Sequence, residues 1–290
     1  MSGLLILLLI PAALPAASAP PATAIVLLTQ SMPGQSAAIR QQLEQKVRER
    51  FPGKEIRWAT LPLADPTLLP PGDQEQLPDL NQVLAELRGQ GVSRVAVQSL
   101  AVMPGNPGEQ ELAALKPGAG LKIAVGKALI SSLAARQRLL TALANTFTSR
   151  QEQAILLVGG GNRHPAATRE YLALYTLMLA KFKGSNLYIG TSNALPEMQT
   201  ALAGLKKSSA NAVLIVPLPV FIDGPTPLPL SATLESCKAA VSALKSGKVE
   251  IFQEGLGTID GVLAIYLDHL GAAVESLAPA KPAKGKRGRK

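Results

Sequence analysis

The feature that most constrains this chain is an alternation of short aliphatic runs and longer amphipathic stretches, written twice. The runs are AIVLLTQ (24–30), EIRWATL (55–61), RVAVQSL (94–100), LKIAVG (121–126), QAILLVG (153–159), NLYIGT (186–191), NAVLIVPL (211–218) and KVEIFQ (248–253). Short apolar, β-branched runs of this kind are the pattern of strands buried on both faces. Between them, Ile39, Leu43, Val47 and Phe51 recur at every fourth residue over 36–51, and Tyr171, Leu174, Tyr175 and Met178 recur three to four apart over 165–182. The second stretch opens with Pro165, whose fixed φ suits a first helical turn. Strands alternating with helices predict βαβ units and parallel sheets covered on both faces, an α/β fold.

The repetition is visible in the letters. Residues 78–97 align without gaps on 196–215, a spacing of 118, with Pro78 on Pro196, Leu84 on Leu202, Leu87 on Leu205, Val95 on Val213 and Val97 on Ile215. AIVLLTQ corresponds to AILLVGG, and LKIAVG loosely to KVEIFQ. Two similar α/β halves follow, 25–150 and 151–275, facing each other across a cleft. Open α/β sheets take ligands beyond the carboxyl ends of their strands, which nominates 29–35, 98–109, 159–165 and 217–226. Leu100, Val102 and Met103 in one half, and Val220, Phe221 and Ile222 in the other, lie in loops that are counterparts at the same spacing and are expected as apolar lips.

Composition narrows the chemistry. Hydrophobic residues are 47% and charged residues 17%, which excludes general disorder, and aromatics are only 3%, so the core is aliphatic. The single cysteine, Cys237, excludes an intramolecular disulfide and a cysteine-based zinc site, and packs as a small apolar side chain in a helix-like segment. Two histidines, His164 and His269, leave little for a multi-histidine metal site. His269 falls near the end of the last helix, where a cation suits the dipole.

The formal charge of +9 belongs largely to the end of the chain. Lys281, Lys284, Lys286, Arg287, Arg289 and Lys290 supply six positive charges there, leaving +3 for the rest. The segment 276–290 reads as a basic disordered tail, a solvated extension or a contact for an anionic membrane or acidic partner; nucleic acid is not expected. At the other end, LLILLLIPAAL (4–14) is shorter than the ~20 residues that a membrane span needs. Followed by PAASAPPATA, it reads as a secretory signal within 1–24, with Ala17-Ser18-Ala19 or Ala22-Thr23-Ala24 at the cleavage region. Its positive flank is missing, since the first basic side chain is Arg40. The protein is expected to be periplasmic or otherwise exported.

GGGNRHP (159–165) is the segment richest in chemistry. Gly159, Gly160 and Gly161 expose backbone N–H groups between a strand and a helix N-terminus, a setting that favours phosphate or carboxylate, and Arg163 adds a bidentate donor. The alternative is a tight turn with a helix cap. The pattern is neither G-x-G-x-x-G nor Walker-type, so a nucleotide is not expected. His164 suits a metal ligand, an axial ligand to haem, or a polar cap before Pro165. Glu109 and Asp223 occupy matching loops, facing the cleft or solvent. No nucleophile elbow is present.

Taken in order, VQSLAVMPG (97–105), LKPGAGLKIAVGKALISS (115–132), GGGNRHPA (159–166), VPLPVFIDG (216–224) and EGLGTIDGVLAIYLDHL (254–270) resemble the anaerobic cobalt chelatases, class II chelatases that insert a metal into sirohydrochlorin. The resemblance spans nearly all of 25–272. It implies two α/β subdomains with a tetrapyrrole and its metal between them, a metal held by histidine and an acidic residue, and histidine helping to remove pyrrole protons. This would be lyase chemistry of the cobalamin-biosynthesis type.

The chain departs from the family where that chemistry resides. Gly160 stands at one family histidine, with Asn162 at the neighbouring threonine, and Pro225 stands near the second histidine. Asn106 falls near the acidic ligand, with Glu109 the nearest acid, and Ala101 at a further histidine; only His164 is matched. A divalent ion needs several donors before transfer, and pyrrole protons need a base near neutrality. The resemblance therefore implies tetrapyrrole binding by Gly159, Gly160, Gly161, Arg163, His164, Met103 and Phe221. His164 and Glu109 are the remaining metal donors, and impaired metal insertion is the expectation. A non-catalytic carrier of a tetrapyrrole or haem, or a scaffold with a recruiting tail, are the alternatives, so cobalt and haem are the groups to test.

Overall fold

The computed structural model describes residues 23–29, 37–60, 77–104, 112, 115, 120–147, 152–159, 165–181, 186–191, 194–220 and 229–278. All eight expected runs are strands: β1 (Ala24–Thr29), β2 (Glu55–Thr60), β3 (Arg94–Ser99), β4 (Lys122–Gly126), β5 (Gln153–Gly159), β6 (Leu187–Thr191), β7 (Ala212–Pro217) and β8 (Val249–Ile251). The helices are α1 (Ala37–Arg50), α2 (Leu80–Gly89), α3 (Leu133–Phe147), α4 (Pro165–Lys181), α5 (Met198–Lys207), α6 (Pro229–Leu244) and α7 (Asp260–Ser276), with a 3-10 turn at Leu256–Thr258. The strands form two parallel sheets, ordered β2-β1-β3-β4 and β6-β5-β7-β8.

The sequence repeat is also a repeat of hydrogen bonds. Val95 lies in register between Ala24 and Ile123, as Val213 does between Ala154 and Val249. Thr60 N–H donates to Pro78 O (3.0 Å) and Thr191 N–H to Pro196 O (2.9 Å), just before α2 and α5. Leu100 N–H donates to Leu28 O (2.8 Å) and Leu218 N–H to Val158 O (2.9 Å). After the fourth strand of each half the match continues. Leu129 and Ile130 N–H donate to Ala101 O and Val102 O (3.0 and 3.1 Å), and Leu256 and Gly257 N–H donate to Pro219 O and Val220 O (3.1 and 2.9 Å).

Each strand sends alternate side chains to opposite faces. Val26 and Leu28 join α2 side chains such as Leu80 and Leu87 in an outer core of the first half. Leu156 and Val158 join Ala201, Leu205, Cys237 and Val241 in an outer core of the second. The other faces, carrying Ile25, Leu27, Ile155, Leu157, Leu214 and Val216, belong to one continuous core with α1, α3, α4 and α7. Ile39, Leu43 and Val47, the expected stripe of α1, are buried in it or at its edge.

That shared core is built by exchange. After β4 the chain crosses over, and α3 packs against the second half: Arg136 pairs with Glu170 of α4, and Phe147 meets Phe252 edge-on at 5.3 Å. After β8 the chain crosses back, and α7 lies on β3 and β4 of the first sheet. Gly257 sits at the second crossover because a Cβ there would come within 2.5 Å of Ile39 Cγ2 and 2.8 Å of Val220 O. Ion pairs line the outside of the seam. Asp268 of α7 lies between Arg50 of α1 (2.6 Å) and Arg138 of α3 (2.7 Å), and Asp260 meets Lys46 (3.1 Å). Exposed pairs contribute only ~0–1 kcal/mol each. A fully buried leucine contributes roughly 1.5–3 kcal/mol, and Leu139, Leu140, Leu143, Leu263 and Leu270 all lie in this seam.

Removing α7 is therefore expected to uncover the inner face of the first sheet, although α7 is last in the chain. A chain ended at Gly255 should lose slow amide exchange in β1 and β3 as well as in β5 and β7. Protection lost from the second half alone would contradict the exchange.

Candidate functional site

Among the described residues, the buried polar side chains are Thr29, Gln98, Ser99 and Thr191. All four stand at the carboxyl ends of strands: Thr29 closes β1, Gln98 and Ser99 close β3, and Thr191 closes β6. Buried polar groups require partners. Gln98 Nε2 donates to Ser99 O (2.7 Å) and Lys127 O (3.0 Å), while its Oε1 is buried without a protein partner. Gly126 makes room for it, since a Cβ there would lie 2.0 Å from that oxygen. Thr191 Oγ1 exchanges hydrogen bonds with the backbone at Ala194. The carboxyl edges nominated by topology are thus also where polarity enters the interior.

The glycine segment begins at this edge. Gly159 ends β5, and a side chain there would strike Tyr171 of α4, 2.6 Å from its Oη. Helix α4 starts at Pro165 as expected. Gly160, Gly161, Asn162, Arg163, His164, Asn106, Glu109, Phe221, Ile222, Asp223 and Pro225 lie outside the described residues. Met103 is buried, as are Leu100 and Val220, and all three belong to the shared core, with Val102 packed at its margin. The described part of the apolar lips therefore faces inward. Among the described residues no cluster of three or more His, Cys, Asp or Glu is placed to hold a metal, and no helix is long and apolar enough to cross a membrane. Cys237 is buried in the outer core of the second half, and burial pushes its thiol pKa up.

Helix α7 brings three residues to the first half that spacing alone did not reveal. Tyr266, buried, donates its hydroxyl toward Leu100 O (2.9 Å) and Ala101 O (3.1 Å), on the loop that follows β3. His269 Nδ1 lies 3.0 Å from Lys127 O, on the loop that follows β4. A carbonyl oxygen only accepts, so Nδ1 carries the proton. Asp268 joins α1 and α3 as described. Burial pushes the His269 pKa below its ordinary value, and the charges of Lys127 and Arg138 act the same way against the Lys127 carbonyl and Asp268. His269 is thus a neutral hydrogen-bond donor near neutral pH and not the dipole-stabilising cation expected from its place in the helix. All three sit within EGLGTIDGVLAIYLDHL, the closing segment already set apart in the sequence, but a helical period does not say which sheet a helix covers.

A profile of the cobalt chelatase (CbiK) family matches residues 22–275. Sirohydrochlorin cobaltochelatase CbiKC of Nitratidesulfovibrio vulgaris is 27% identical over 241 residues, covering 81% of this chain and 84% of that protein. Among solved structures, SirB from Bacillus subtilis with Fe3+ superposes with a TM-score of 0.62 at 15% identity, covering 88% of this chain and 96% of that one. The sirohydrochlorin chelatase SirB from Bacillus subtilis subspecies spizizenii in complex with cobalt gives 0.61 at 13% identity, with the same coverage. At these identities the two structures establish the fold, the two-halved α/β architecture of class II chelatases.

The seam carries a pH signature. His269 binds a proton more readily in the unfolded chain, so stability falls as pH drops through about 6.5. Burial raises the Asp268 pKa, but Arg50 and Arg138 outweigh it and hold the carboxyl below its usual range, so that contribution is lost only below about pH 4. Between pH 7.5 and 5.5 the urea midpoint is expected to fall. His269→Asn, which can still donate an N–H but does not titrate, should flatten the slope. An unchanged slope would contradict this assignment.

Proposed function

The chain belongs to the cobalt chelatase (CbiK) family, and on that premise we propose that it binds a sirohydrochlorin-type tetrapyrrole between its halves and has lost most of the metal-insertion chemistry. One observation carries the reading. Four of the five family-like segments run over the carboxyl ends of β3, β4, β5 and β7, yet the positions for proton and metal chemistry in them or next to them are Gly160, Pro225, Asn106 and Ala101.

Binding and insertion make different demands. A large flat macrocycle is held by buried apolar area and by pairing of its peripheral carboxylates. Arg163 and the amides of Gly159, Gly160 and Gly161 suit carboxylates, with Phe221 left for the apolar side, since Met103 is packed in the shared core. Insertion requires removing two pyrrole protons and passing a partly dehydrated ion, the substrate metal, to the ring nitrogens. Gly160 and Pro225 supply neither a base nor a donor, which leaves His164 and Glu109 as metal donors. Retention of His164 beside lost partners favours a second reading, an exported carrier of haem or another metallated tetrapyrrole with His164 as axial ligand. Ala24 belongs to β1, and α7 runs to Ser276 with Leu277 buried, so the leader-like part is 1–23 and the basic part 281–290; these support an exported protein that touches an anionic membrane or acidic partner.

Two measurements test this. A metal-free porphyrin should bind the native protein, and Arg163→Ala should weaken it about tenfold or more, since a charge-assisted hydrogen bond is worth roughly 1.5–3 kcal/mol. His164→Ala should weaken haem alone. Equal affinity of all three proteins for both ligands would exclude this loop as the site. Expressed in its source cell, the mature protein should begin between residues 17 and 25; an intact Met1 on a cytoplasmic protein would contradict export.

A further inference from the structure

We propose that Tyr266 is a positioning residue for the tetrapyrrole site, fixing from the last helix of the second half the loop that follows β3 in the first. The inference rests on the tetrapyrrole reading above and names a residue that nothing in the family resemblance assigns.

The two carbonyls that face the Tyr266 hydroxyl, Leu100 O and Ala101 O, belong to the peptide groups on either side of residue 101. One hydroxyl proton shared between them holds both peptide planes, and those planes set the direction of the Ala101 side chain and of the chain into Val102 and Met103. Ala101 O and Val102 O are also the acceptors for Leu129 and Ile130 N–H. The loop is thus clamped between the first crossover and α7. Tyr266 is fully buried, and burial pushes its pKa well above the ordinary value, so the hydroxyl stays a donor throughout the working pH range.

The other half shows that the fold alone does not demand this hydroxyl. Leu139 precedes Tyr266 by the same 127 residues that separate Leu129 from Leu256. It occupies the counterpart place on α3, is fully buried, and has no hydroxyl to offer. Pro219 and Val220, the described counterparts of Ala101 and Val102, keep their backbone bonds from Leu256 and Gly257 without such a hydroxyl at position 139. The extra restraint is specific to the first-half loop, which lies within VQSLAVMPG. A preset loop spares a ligand the cost of ordering it on binding.

The experiment measures amide exchange at Leu129 and Ile130 together with the affinity for a metal-free porphyrin. Tyr266→Phe keeps the ring and removes the donor. Exchange at both amides should speed up, and Kd should rise about fivefold, the weight of an ordinary hydrogen bond. Val262→Ala, a core truncation on the same helix, should lower the melting temperature at least as much and leave Kd unchanged. Ala101→Gly, which frees the same residue without touching α7, should weaken binding as Tyr266→Phe does and covers the case in which that variant does not fold. Native-like exchange in Tyr266→Phe, equal weakening by Val262→Ala, or native affinity in Ala101→Gly would each overturn the proposal. If the native protein binds no porphyrin, the tetrapyrrole reading fails, and amide exchange alone decides whether Tyr266 fixes the loop.

Discussion

A parallel sheet is apolar on both faces and cannot leave either one in water. Each half of this protein covers its outer face locally, with α2 against the first sheet and α5 and α6 against the second. Neither completes its inner face alone. The cover arrives by exchange: α3 leaves the first sheet for the second half, and α7 returns from the second to lie on β3 and β4. One continuous core then joins both inner faces. The relative placing of the two carboxyl edges follows from this packing, and with it the place where a ligand between the halves would sit.

The strands were legible because burial on both faces writes an unmistakable letter pattern; all eight runs became strands. The twofold repeat was legible because equivalent positions face equivalent neighbours, so Pro78 and Pro196 each accept from a threonine at the end of the neighbouring strand. The exchange was not legible. A stripe such as Leu139, Leu140 and Leu143 looks the same whichever sheet it covers. His269 looked like a helix-end cation because its burial and the Lys127 carbonyl belong to tertiary structure. Tyr266 looked like one more apolar residue of a buried helix, since its partner lies 166 residues away. At the site, the glycine of β5 and the start of α4 were readable, but the inward burial of Met103 and Val220 was not, because an apolar loop residue reads alike whether it meets a ligand or the core.

Placement and chemistry separate in this chain. The fold is that of the class II chelatases, while Gly160, Pro225, Asn106 and Ala101 stand where the family resemblance implies histidines and an acidic residue, beside a matched His164. Holding a carboxylated macrocycle needs apolar area and anion donors. Moving protons off pyrrole nitrogens does not follow from geometry, because it needs a base of suitable pKa within reach. His269, the histidine that the structure describes in full, is committed to Lys127 O through its Nδ1 proton and belongs to the seam.

The most direct test follows the absorbance of sirohydrochlorin mixed with the protein, first without metal and then after cobalt is added. The account predicts an immediate shift of the ligand spectrum on binding, followed by cobalt insertion no faster than in buffer. Rapid, multiple-turnover formation of the cobalt complex would contradict it, as would a ligand spectrum that ignores the protein.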